Sequence, residues 1–317
     1  MGSTPDSHRP FDMRVDSEVP TTQAYLIVQD VSFRYVQNVT RYIHRQLRSY
    51  FGDSAALVLT SEIDDVRYAD GSIVFVIGEN FRTHQRKPGC KYIYLNFSVV
   101  EVMGSPFKLS RIGWSAIRRK KRMLQEKIGA YDAVLDYFPP QTRILERRLA
   151  VPVFGFAVGV DLGAASNTKP LAAREYDLCF VGGMSPRRET VLADLSAEGL
   201  SLSPNSKVVF EEEAAKSRLC LNIHAYRSNH LETPRILGAL ASGTPVLTEP
   251  SFGLDTLMPP SCAAIARTDQ LVRKAKQLLN SPTELQSLCD RSQAWYHTTY
   301  LPDAAGRWRK LLETLER

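Results

Sequence analysis

The sequence has no long apolar run. None approaches the ~20 residues that a membrane-crossing helix needs. Its first residues, MGSTPDSHRPFDMR, lack the apolar core of a secretory signal, and residues 1–20 read as a flexible polar tail. Cysteine is scarce and scattered. Cys90, Cys179, Cys220, Cys262 and Cys289 form no CxxC and no ligand-like spacing, which suits a reducing, cytoplasmic compartment. Cys179 and Cys220 lie in the apolar runs DLCFVGG and RLCLNIH and read as small core residues. Phosphate signatures are missing as well, since neither GxGxxG nor GxxxxGK[ST] occurs. No DxD follows a strand, and Asp64-Asp65 falls in a polar turn, so no metal site is expected. There are no solenoid-length repeats. The excess charge is modest: a formal +6 and a pI of about 9.0 favour an anionic partner, whether a nucleotide-sugar, a lipid headgroup or a nucleic acid.

What is present is an alternation. Short continuous apolar stretches, AYLIVQD (24–30), AALVLTS (55–61), SIVFVIGEN (72–80), KYIYLNFS (91–98) and DAVLDYF (132–138), read as buried strands separated by helical segments. After a crossing near 159–175 the pattern resumes. YDLCFVGG, RLCLNIHAY, TPVLTEP and CAAIAR read as strands, and SKVVFEE as a strand or extended piece. TPRILGALAS reads as a helix closed by Gly243, and three helical stretches follow residue 269. Strands that are apolar throughout, with helices between them, imply parallel sheets covered on both faces. The expectation is an α/β chain of two Rossmann-like doubly wound domains facing a cleft. Residues 21–158 form the first and 159–300 the second, with 301–317 a C-terminal helix able to cross back.

Ligands of such sheets bind beyond the carboxyl ends of the strands. That rule selects a short list of candidates. FVGGMSPRRE offers Gly182 and Gly183 for close backbone approach, a helix N-terminus, and Arg187 and Arg188, which together outline a diphosphate site. His224 ends the strand LCLNIH. Glu232 and Arg235 stand at the next helix start, where a carboxylate can accept from ribose hydroxyls and an arginine can hold phosphate. Glu249 follows the strand TPVLTE. In the first domain, Glu79 and Asp30 follow strands and are the candidate bases, with Asn80 and Asn96 beside them on the acceptor side.

These segments carry a resemblance. LNIHAYRSNHLETPRILGALASGTPVLTE resembles the donor-site segment of group 1-type glycosyltransferases of the GT-B fold, and DLCFVGGMSPRRETVLADL resembles the opening strand–turn–helix of the same domain. YDAVLDYFPPQTRILERRLAVPVFGFAVGVD resembles the last acceptor-domain unit and the crossing that ends in Gly159, Val160 and Asp161. The pattern is most similar to the short, spore-coat-protein-like branch. The resemblance implies a nucleotide-diphosphate sugar as co-substrate in the second domain, an acceptor on the first, and no obligatory metal or other cofactor. It implies transfer of a sugar to an acceptor hydroxyl, in cell-surface glycan or glycolipid synthesis. Two positions depart from the pattern. Gly238 stands where many members carry a second glutamate, and Asn96 where many carry a histidine.

The run Arg118–Arg122 within residues 107–127 is the remaining unusual feature. It suits a solvated helix face, an anionic surface at the inner face of a membrane, or a nucleic-acid backbone. Besides the transferase, the sequence leaves open an inactive relative that binds a glycan or nucleotide, and a transferase that glycosylates nucleic-acid bases.

Overall fold

The structure, a computed structural model, describes residues 23–78, 81, 84–98, 100, 111–162, 169–225 and 230–317, except for the side chains of 111–114 and 116. Glu79, Asn80 and residues 107–110 lie outside the described residues.

The first half contains β1 (Ala24–Gln29), α1 (Asp30–Phe51), β2 (Ala55–Thr60), β3 (Ile73–Ile77), β4 (Lys91–Asn96), α2 (Arg111–Lys127), β5 (Ala133–Asp136), α3 (Pro139–Leu145) and β6 (Val153–Gly155). Its six strands are parallel, in the order β2-β1-β3-β4-β5-β6. The second half contains β7 (Tyr176–Cys179), α4 (Pro186–Ala197), α5 (Phe210–Ala215), β8 (Ser217–Asn222), α6 (Thr233–Ala241), β9 (Val246–Thr248), α7 (Leu254–Leu257), β10 (Ala264–Ile265), α8 (Leu271–Leu279), α9 (Pro282–Trp295) and α10 (Leu301–Glu316). Its sheet runs β10-β9-β8-β7, again parallel, and Leu202 extends it by a bridge to Leu178 beyond β7. The strands are largely apolar because helices cover both faces, and β1, β3 and β5 are buried at every position.

The two orders place a switch point in each sheet. In the first it lies between β1 and β3, where successive connections leave in opposite directions. In the second it lies between β7 and β8. Ligands bind in the crevice at such points. Local chemistry prepares the second. Ser185 caps α4, its hydroxyl accepting from the Arg188 N–H, and Pro186 occupies the first turn. SKVVFEE departs from the expected extended piece, because its FEE opens α5, where Phe210 packs against the main core.

Side chains from the C-terminal helices hold the crossing segment. Trp308 Nε1 donates to the Ala157 carbonyl (2.7 Å), Tyr300 to the Val158 carbonyl (2.5 Å), and Tyr296 accepts from the Val160 N–H (3.3 Å). A π-helical turn over Tyr296–Tyr300 joins α9 to α10, and α10 lies against α1 of the first half. Gly159 permits this packing, since a Cβ there would sit 2.4 Å from the Tyr42 ring. All five cysteines are free and buried, with Cys179 and Cys220 fully enclosed.

Candidate active site

A cleft of about 380 Å³ opens between the halves. Its first-half wall includes Arg34, Tyr35, Phe97, Lys120 and Tyr137. Its second-half wall includes Gly182, Phe210, Glu211, His224, His230, Glu232 and Arg235. Of the residues that sequence reasoning selected after β7, β8 and β9, Gly182, His224, Glu232 and Arg235 line this second wall, and two networks tie them to Gly183, Arg187, Arg188 and Glu249.

One network centres on Glu232. Arg188 Nη2 donates to Glu232 Oε1 at 2.7 Å, and Arg235 pairs with Oε2. Both guanidinium groups lie over the Phe180 ring, at 5.0 and 5.3 Å from its centroid. Arg188 is buried and fully engaged, since it also donates to the carbonyls of Ile223 and Gly183. Burial lowers its pKa to about 10, against the opposing pull of Glu232. For Glu232 burial favours the neutral acid, but Arg235 and then Arg188 outweigh it, so its carboxyl titrates below the usual range. Arg235 Nη1 also donates to Asn222 Oδ1 at 3.0 Å, and its other Nη would lie 2.7 Å from a Cβ built on Gly182. A side chain at 182 would therefore displace the guanidinium.

The second network centres on Glu249, which is buried. Its carboxylate accepts from both Nη groups of Arg187, from Thr268 Oγ1 and from the His224 N–H. These donors overcome the burial that raises its pKa and hold the carboxyl low. Arg187 also donates to the His224 carbonyl and to Thr268, so it ties three loops together. The structure thus engages Arg187 and Arg188 with protein partners, and of the three arginines it is Arg235 that lines the cleft.

Two buried histidines face this cleft. His224 Nε2 lies 3.1 Å from Ser251 Oγ, and His230 Nε2 lies 3.3 Å from Tyr137 Oη. The Nδ1 atoms of both have no hydrogen-bond partner among the described residues. Burial lowers both pKa values, that of His230 to about 4, so both rings are neutral at pH 7.

The first-half candidates are placed differently. Asp30 begins α1 and is exposed, its Oδ1 accepting from the Val31 N–H at 2.6 Å. Arg34 and Tyr35, one turn further on, reach the cleft. Asn96 is 1% exposed and does not line the cleft. Its amide donates to Asp136 Oδ2 (2.7 Å) and to the Ser98 carbonyl, and its oxygen accepts from the Ser98 N–H. With Gln141 and Thr142 it forms the cage around Asp136, whose pKa burial raises to about 6. On α2, Arg118, Arg119 and Arg122 are exposed while Ile117 and Leu124 are buried. Among the described residues, no group of three or more His, Cys, Asp and Glu is arranged to hold a metal ion, and no helix is long and apolar enough to cross a membrane.

Sequence reasoning missed Glu211, His230 and Tyr137. Glu211 lay in a stretch read as extended. His230 belongs to the loop before Glu232 and could have been found there as a second histidine following the same strand.

The fold is two Rossmann-like parallel sheets facing a cleft. Comparison with known proteins makes this specific. Residues 210–313 match the family model described as "Glycosyl transferase-like". No curated protein sequence matches the chain. Among solved structures, HepE of Anabaena in complex with UDP-glucose is similar, with a TM-score of 0.60 at 10% identity over 92% of this chain and 99% of that one. Sucrose-phosphate synthase of Thermosynechococcus elongatus is similar with a TM-score of 0.53 at 11% identity, over 92% and 99%. TarM of S. aureus is similar with a TM-score of 0.54 at 12% identity. That match covers 76% of this chain, which spans about half of TarM's length, 54%. The chain therefore has the GT-B fold, and its residues 210–313 are similar to the glycosyl transferase-like family.

Proposed function

We propose that the cleft binds a nucleoside diphosphate sugar and transfers its glycosyl group to an acceptor hydroxyl. The observation that carries the reading is the meeting of Gly182 and Arg235 at the β7–β8 switch point. There a side-chain-free backbone turn, a guanidinium in the cleft wall and the nearby N-terminus of α4 offer donors to a diphosphate. UDP-glucose in the similar HepE structure supports a uridine donor.

In the reaction, the acceptor oxygen forms a bond to the anomeric carbon and the bond from that carbon to the diphosphate oxygen breaks. Negative charge grows on the leaving diphosphate, where Arg235 and the Gly182–Gly183 N–H groups stabilise it without reorganisation. Arg187 and Arg188 act at one remove, by fixing the loops that carry His224, Gly183 and Glu232. The acceptor approaches from the first-half wall, past Arg34, Tyr35 and Lys120. Asp30 and Glu79 remain the proposed bases, and Asn80 and Asn96 are proposed to shape the acceptor side, Asn96 through its cage around Asp136. Transfer is proposed to need no metal. The exposed cations of α2 support an acceptor presented at an anionic membrane surface, such as a glycolipid.

The test is a thermal-shift series with UDP, GDP, ADP, CMP and dTDP, followed by donor hydrolysis with the sugar form of whichever binds. A ligand held by the folded state raises its melting temperature. A shift with one nucleotide and slow hydrolysis of its sugar are expected. Binding without hydrolysis or transfer would instead favour a nucleotide-binding module, and no shift at millimolar ligand would remove the reading.

A further inference from the structure

Two acidic side chains line the cleft, Glu211 and Glu232. They differ in what already holds them. Both oxygens of Glu232 are engaged by arginines. Glu211 is partly buried on the short helix α5, and Asn38 Nδ2 of α1 donates to its Oε2 at 2.8 Å. Among the described residues, no other side chain donates a hydrogen bond to that carboxyl. Burial pushes its pKa up and Asn38 pulls it down. A carboxylate has about four acceptor positions, so Glu211, held through one oxygen by a neutral amide, keeps the larger capacity for a ligand.

The room for Glu211 comes from Gly238. A Cβ built there would meet Phe210 Cε1 at 2.9 Å and Glu211 Oε1 at 3.0 Å. The glutamate therefore lies over the face of α6 that a side chain at 238 would occupy. On that helix, Gly238 stands three residues beyond Arg235, a rise of about 4.5 Å. Arg235 in turn touches the Gly182 turn. The carboxylate and the diphosphate turn thus meet α6 on neighbouring turns and line the same cleft. Val208 and Phe210, beside Glu211 in the cleft wall, offer the apolar contact that a base needs. Base, diol and diphosphate follow one another in a nucleotide, and apolar wall, carboxylate and guanidinium follow one another here.

Building on the proposed donor site, we infer that Glu211, reaching over Gly238, binds the vicinal ribose diol of the donor and makes the cleft selective for ribonucleotides over deoxyribonucleotides. Two hydroxyls donate to one carboxylate, and Asn38 holds that carboxylate in place from the opposite half. Glu232 then has a different task, keeping Arg188 and Arg235 in register.

Calorimetric binding of UDP, GDP and ADP, and of their 2′-deoxy counterparts, tests this on wild-type protein and on Glu211→Ala, Glu211→Gln and Gly238→Ala. A hydrogen bond to a charged group sets the scale, so wild type should prefer the ribonucleotide by about tenfold. Glu211→Ala should lower that preference to about twofold or less by weakening the ribonucleotide alone, with Glu211→Gln between. Gly238→Ala leaves the carboxylate in the chain but takes its space, and should reduce the ratio too. Melting curves of the unliganded variants show that each is folded. Wild-type binding with a ratio unchanged in folded Glu211→Ala overturns the assignment and leaves the donor site standing. Failure of wild type to bind any of the six overturns both.

Discussion

Glu232→Gln separates a structural carboxylate from a ligand contact. Glutamine keeps the shape and one acceptor oxygen, but turns an amide N–H₂ toward one of two guanidinium groups. Arg188 is 3% exposed and cannot turn to solvent. Hydrogen bonds between charged groups contribute about 1.5–3 kcal/mol each, and breaking a buried ion pair costs about 3–5 kcal/mol. The Glu232 side chain is 24% exposed, so a loss at the lower end, about 2–4 kcal/mol, is expected. At about 2–4 °C per kcal/mol this is a fall in melting temperature of roughly 4–16 °C, read by circular dichroism. The pH dependence follows from the lowered carboxyl. A group whose folded pKa lies below its unfolded value contributes fully above the unfolded value, about 4.3, and loses that contribution as pH falls through the folded one. The gap between wild type and variant should therefore hold from pH 6 to 8 and close in acid below about 4. Nucleoside diphosphate affinity should hold or rise, because two cations have lost their counter-charge. A variant that melts like wild type yet loses tenfold in nucleotide affinity would refute this account and return Glu232 to the ribose.

Three further outcomes follow. His230 has a folded pKa lowered by burial from 6.5 to about 4, so its neutral form contributes stability above pH 6.5 that is lost as pH falls towards 4. The full loss is on the order of 3 kcal/mol, and His230→Asn should flatten that part of the pH–stability curve; an unchanged curve counts against a buried neutral ring. Gly182→Ala places a Cβ 2.7 Å from the Arg235 guanidinium and should weaken nucleoside diphosphate binding about tenfold or more, as expected for a lost charge-assisted contact. Retained affinity would mean that the diphosphate lies elsewhere. Transfer should proceed within about twofold of its normal rate in EDTA, on the electrostatic account of leaving-group stabilisation, and loss of activity restored by a divalent cation would contradict the metal-free proposal.

The sheets were legible because strands covered on both faces are largely apolar, and a run such as IVFVI admits little else. The switch-point residues were legible because loops after parallel strands are few, and Gly182, Glu232, Arg235 and Glu249 all follow one. Partners were harder to see. Arg187 and Arg188 stand at a helix start, where arginine commonly awaits an anion, and nothing local shows that Glu249 and the Ile223 carbonyl already occupy them. Asn96 follows a strand as a ligand would, yet the cage around Asp136 is set by Gln141 and Thr142 from the next helix. Gly238 shows the limit most clearly. Read along the chain it is a missing side chain. In the fold its vacant Cβ position is where Phe210 and Glu211 meet α6. Local propensity favours extended structure in KVVFEE, because valine and phenylalanine fit strands, and tertiary packing of Phe210 overrides it. The glycine and the glutamate are thus one feature divided between two helices. A substitution at either position should be read by its effect on the other, since a Cβ at 238 would meet the Glu211 carboxylate at 3.0 Å.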